Sequence, residues 1–84
     1  MRKGKTLTQH ALLRAAQRYS ADFGTKDLHI IVKLIQNGES EFVCKQSNTR
    51  TQHKVYYKGM WYGLIYDKKR ELVVTFLPQE KQDD

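Results

Sequence analysis

The apolar residues of this chain change their spacing at Asn37-Gly38, and that change governs what the chain can fold into. Before it they recur three and four residues apart, the period of a helix with one dry face. After it they come in short aromatic and β-branched runs separated by turn residues, the signature of strands. Helices followed by strands make an α+β layer. At 84 residues the chain is long enough for one domain with one modest core.

The first helix is expected from about Gln9 to Tyr19, with the Thr8 hydroxyl as its cap. At about 100° per residue, Ala11, Leu12, Ala15, Ala16 and Tyr19 share one arc. His10, Arg14 and Arg18, at i, i+4 and i+8, line up on the other side. Ser20 to Gly24 reads as a loop, with Gly24 free to take a positive φ. A second helix is expected from about Lys26 to Asn37, capped by Thr25 and with Asp27 complementing its dipole. Its apolar face is Leu28, Ile31, Val32, Leu34 and Ile35; His29, Lys33 and Gln36 oppose it. The run Ile30-Ile31-Val32 is also compatible with a strand, but the polar spacing and the Asn37-Gly38 stop favour helix.

Strands are expected at Glu41–Lys45, His53–Lys58, Met60–Tyr66 and Glu71–Leu77. Turns fall at Ser47–Arg50, Lys58-Gly59 and Asp67–Arg70, and Pro78 ends the last strand. Gly63 marks a bulge or a close backbone approach. Connections this short join antiparallel neighbours. The predicted fold is therefore two N-terminal helices packed on a four-stranded antiparallel meander, as a single domain over residues 1–84. Residues 1–7 and 79–84 are expected to be loose.

The formal charge of +6 points to an anionic partner: nucleic acid, an acidic protein or an anionic membrane surface. One cysteine, Cys44, excludes an internal disulfide and a cysteine-based zinc site, and it is expected as a small buried hydrophobe. His10, His29 and His53 show no metal-ligand spacing, and no phosphate-binding glycine loop is present, so neither metal nor cofactor is expected. The basic start Met1-Arg2-Lys3-Gly4-Lys5 is not followed by an apolar core, and Leu28–Ile35 is too short and too charged to span a bilayer. A cytosolic protein without a membrane partner is expected.

An imidazole beside two guanidiniums suits phosphate chemistry. Histidine carries protons near neutrality, and arginine offers a forked, permanent charge. Ribonucleic acid can be cut without metal when its own 2′-hydroxyl attacks phosphorus, given a base, an acid and cations for the developing charge. The same residues also compose an ordinary solvated helix face. On the strands, Lys54, Tyr56 and Lys58 alternate with His53, Val55 and Tyr57. Tyr57, Trp61, Tyr62 and Tyr66 are of the type that stacks on bases, although a small sheet also needs aromatics for its core, and core packing is the expectation for Trp61. Thr75 is a hydroxyl within an apolar strand, either a β-former or a phosphate ligand.

From Leu7 to Pro78 the chain resembles a group of small bacterial and phage domains. Their pattern opens with a Thr-x-His-Ala-x-x-Arg-x-x-x-Arg helix, here Thr8 to Arg18, and closes with a Val-Val-Thr strand, here Leu72 to Pro78. Those domains are similar to the superfamily uniting barnase, EndoU, the tRNA-cleaving colicins and RelE. The resemblance implies a RelE-like fold and a metal-independent endoribonuclease, a toxin or phage effector. It implies a site of His10, Arg14, Arg18 and Thr75, completed by Lys58 or Tyr57, with RNA as substrate. An acidic antitoxin, immunity or host protein would be the second partner. The start of the second helix is less acidic than in those domains, and the inter-helix loop is longer. The alternatives are a non-catalytic module that binds nucleic acid or an acidic protein, and an antitoxin-like or structural phage protein whose charges only solvate it.

Overall fold

The computed structural model describes residues 7–78. The order is α1 (Leu7–Tyr19), α2 (Thr25–Gln36), β1 (Glu41–Lys45), β2 (Arg50–Tyr57), β3 (Met60–Asp67) and β4 (Leu72–Phe76). The strands form one antiparallel sheet in the order β1-β2-β3-β4, a meander covered on one face by both helices. The α+β expectation is met. The expected loose lead-in and tail fall outside the described residues, except that Leu7 belongs to α1.

Several boundaries differ from the sequence reading. Thr8 lies inside α1 and is not its cap. Thr25 is the first residue of α2, and Gly24 takes the cap position with φ −109°, so its expected positive φ is not needed. The Asp27 carboxylate reaches back to accept the Gly24 N–H at 2.9 Å, the return half of a capping box. At its other end α2 stops as expected. Gly38 has φ 78°, its N–H donates to Ile35 at 3.1 Å, and the Glu39 N–H donates to Leu34 at 2.8 Å. This double bond pattern satisfies the last carbonyls of the helix.

β2 begins at Arg50, three residues before the expected start, and ends at Tyr57. Lys58 is therefore not a strand residue. With φ 51° beside Gly59 at φ 84°, it forms the two-residue turn between β2 and β3, whose handedness matches the sheet's twist. Asp67 closes β3 and is fully buried. Its Oδ1 accepts the N–H groups of Lys69 and Arg70 at 2.9 and 3.0 Å, and its Oδ2 faces Arg50 Nε and Arg70 Nη1 at 3.4 and 3.2 Å. The Arg70 backbone bond contributes most to holding this carboxyl below its ordinary range.

The core lies between helices and sheet: Ala11, Ala15 and Tyr19 of α1, Leu28, Ile31 and Ile35 of α2, and Val55, Tyr62, Leu64, Tyr66, Val73 and Phe76 of the strands. Ala16, expected on the dry arc, is exposed. The alanines let α1 approach β4 closely, and α1 packs mainly on that strand. Tyr19 accepts the Gly63 N–H on its hydroxyl at 3.1 Å, which is the close approach that Gly63 marks. No described helix is long and apolar enough to cross a membrane.

Candidate nucleic-acid interface

His10, Arg14 and Arg18 stand in one row on α1, turning by only ~80° over its length. All three are half-buried, while Gln9, Leu13, Ala16 and Gln17 are exposed. The row flanks the buried arc of Ala11, Ala15 and Tyr19 and does not oppose it. The other flank carries Leu12, which packs into the core, while Thr8, in line with the buried arc, shares a cleft with α2. The cationic flank consequently turns away from α2. Since α1 rides on β4, the row lies beside the outermost described strand on that side of the sheet. Arg14 Nη1 donates to Gln17 Oε1 at 2.7 Å, which orients the guanidinium along the helix. Among the described residues, none of the three rings or guanidiniums makes an ion pair.

Thr75 lies on the other face of the sheet. Leu64 pairs with Phe76, Ile65 with Thr75 and Tyr66 with Val73, so Val74 is an extra residue and β4 bulges there. The bulge lets Val73 and Phe76 both enter the core and turns Thr75 outward beside Ile65. Thr75 and the α1 row therefore flank the same edge strand from opposite sides.

Tyr57 and Lys58 join neither. The Tyr57 hydroxyl donates to Asp27 Oδ1 at 2.5 Å, and Lys58 Nζ lies 3.2 Å from the same oxygen. The bond from Tyr57, then that from Gly24, holds the Asp27 carboxyl at about 2. Burial, then the bond to Asp27, pushes the Tyr57 phenol up to about 12. Both residues fasten the β2–β3 hairpin to the start of α2.

The polar face of α2, which no sequence motif singles out, lines a cleft of about 410 Å³ with Arg70, Glu71 and Thr8. His29 and Lys33 face Arg70 across it. A second, shallower hollow of about 330 Å³ lies near the end of α2, between Phe42, His53 and Tyr66. There the His53 imidazole bridges two hydroxyls, Nδ1 at 2.9 Å from Ser40 Oγ and Nε2 at 2.8 Å from Thr51 Oγ1. In a neutral ring one nitrogen donates and the other accepts; burial lowers the His53 pKa and so favours the neutral ring. Sequence spacing could not reveal this trio, because Ser40 comes from a loop and the others from β2. The three histidines stand on different elements, and among the described residues no cluster of metal-ligating side chains forms.

The aromatics divide. Tyr62 and Tyr66 are buried in the core, and Tyr57 is half-buried. Trp61, expected in the core, is 51% exposed on the face away from the helices, opposite Tyr56 at 55%. Cys44 is half-buried, pairing with Gln52 on that same face.

The fold and its cationic flank define a small basic α+β domain. No protein-family model, curated protein or solved structure matches the chain.

Proposed function

We propose that this protein binds RNA through the His10–Arg14–Arg18 flank of α1 and cuts it there without a metal, as a RelE-like endoribonuclease. The supporting observation is the half-buried row itself: an imidazole and two guanidiniums aligned on α1 beside the outermost strand β4. Partial burial strengthens each contact to phosphate relative to open solvent. In this reading His10 takes the proton of the ribose 2′-hydroxyl, the 2′-oxygen bonds to phosphorus, and the bond to the 5′-oxygen breaks. The leaving oxygen is protonated from water. The products are a 2′,3′-cyclic phosphate and a 5′-hydroxyl. Arg14 and Arg18 hold the charge that builds on the phosphoryl oxygens, and Thr75 meets the chain where it rounds the edge of β4. Tyr57 and Lys58 take no part.

The test is incubation of total RNA with the purified protein in EDTA, beside His10→Ala. Cleavage that falls by about 100-fold or more in the variant is expected of a positioned proton carrier. Undiminished cleavage would remove the mechanism. The second reading, binding without cleavage, is favoured by one observation: Tyr57 and Lys58 are engaged by Asp27, which leaves His10 as the row's one proton carrier. Salt-sensitive binding with no product at any protein concentration would establish it.

A further inference from the structure

We propose that Tyr56 and Trp61 form a base-stacking platform on the sheet face away from the helices, which makes single-stranded RNA the ligand class of this protein. The proposal rests on the RNA reading above and adds a second surface to it. The two residues are direct cross-strand partners, with ring centroids 5.4 Å apart and planes tilted by 57°. Both are more than half exposed although they are among the largest apolar side chains present. A cross-strand aromatic pair stabilises a hairpin by a modest amount, but it does not need to leave its ring faces in water.

The surroundings favour a polyanion as the occupant. Lys54 lies two residues before Tyr56 and on the same face. The net charge is +6. The platform and the last turn of α1 lie at the same end of the sheet, on its opposite faces. Tyr19, next to Arg18, bonds to Gly63, two residues from Trp61, so the last turn of α1 and the aromatic pair share the hairpin end of the sheet. Thr75 is turned toward the same face as Trp61. A strand whose phosphates follow the α1 flank can therefore round the edge of β4 and lay its bases on the rings. Bases within a duplex have their faces covered and cannot do this.

The chain has one tryptophan, so its emission reports Trp61 alone. The full chain is titrated with a 2′-O-methyl oligoribonucleotide, which lacks the attacking hydroxyl and cannot be cut, and with the same strand annealed to its complement. A fluorescein-labelled copy reports binding by anisotropy. The expected result is quenching of Trp61 that saturates with the anisotropy signal, single strand preferred over duplex, and about ten-fold weaker binding in Trp61→Ala and Tyr56→Ala. Trp61→Phe should retain most of the affinity, and Tyr56→Ala keeps the tryptophan readable should Trp61→Ala fold poorly. Arg14→Gln should weaken binding while leaving the saturated quench unchanged. Binding with no change in emission, or equal binding of duplex, overturns the platform and leaves the α1 reading intact. Absence of binding overturns both. Emission that follows protein concentration and not RNA would assign the patch to a second copy of this chain and overturn the proposal.

Discussion

Tyr57 and Asp27 are thirty residues apart in sequence and joined by a 2.5 Å hydrogen bond from phenol to carboxylate. That bond, with the Gly24 amide and the Lys58 ammonium on the same carboxylate, pins the first turn of α2 to the tip of the β2–β3 hairpin. Two side chains of the kind a phosphate site uses are thereby committed to holding helix against sheet.

Tyr57→Phe keeps the ring contact with Phe23 and removes only the hydroxyl. A bond to a charged acceptor contributes about 1.5 kcal/mol, so urea unfolding should show a loss of that order. Cleavage and affinity for RNA should be unchanged; a fall in cleavage without a fall in stability would return Tyr57 to the site.

The acid limb of stability follows from Asp27. Its carboxyl sits at about 2 in the fold against 3.8 for the free side chain. A depressed carboxyl contributes stability that is fully present above the unfolded value and is lost as pH falls through the folded one. Unfolding free energy should therefore decline from about pH 4 toward pH 2, with Asp67 acting in the same direction. Asp27→Asn should be less stable at neutral pH and show a flatter acid limb in denaturant titrations.

His53 acts in a higher window. Burial lowers its pKa below 6.5, so the fold favours the neutral ring. The stability it contributes is present above pH 6.5 and declines as pH falls below that value toward its folded pKa. Imidazole nitrogen shifts in NMR should show His53 titrating later than a free histidine as acid is added. Both its nitrogens should be protected by Ser40 and Thr51 while it is neutral.

Leu64 of β3 is fully buried in the core between the sheet and the helices. Leu64→Ala should cost about 2–5 kcal/mol, a large share of the roughly 5–15 kcal/mol that holds a domain folded. Thermal melts should show either a much lower midpoint or no cooperative transition.

Each arginine of the α1 row should account for about one phosphate contact. Arg14→Gln and Arg18→Gln should each reduce the slope of log affinity against log salt by about 0.7 for a single strand. Lys26→Gln, on an exposed position of α2, should leave the slope unchanged.

The order of elements could be read from the chain because period and punctuation agree: Asn37-Gly38 and Lys58-Gly59 each supply the positive φ their turns require. The row His10–Arg14–Arg18 was visible for the same reason, since helical spacing alone aligns it. What spacing could not give was the face of Thr75. Alternation counted from Val73 turns it inward and counted from Phe76 turns it outward, and only the bulge at Val74 decides. Trp61 was misread because large aromatics usually fill small cores, whereas here Tyr62 and Tyr66 already do. The bond of Tyr57 to Asp27 depends on where α2 lands on the sheet, which no local pattern encodes.

The placement of α1 over an outermost strand also bears on solubility. β4 is the outermost strand on its side among the described residues, and an outermost strand is a template on which another chain could zip a fifth strand. His10, Arg14 and Arg18 lie beside that strand, and the approach of a second identical chain sets like charge against like. The features that suit the flank to a polyanion thus also guard it against self-association, and variants stripped of these cations are expected to precipitate more readily than their unfolding midpoints alone would suggest.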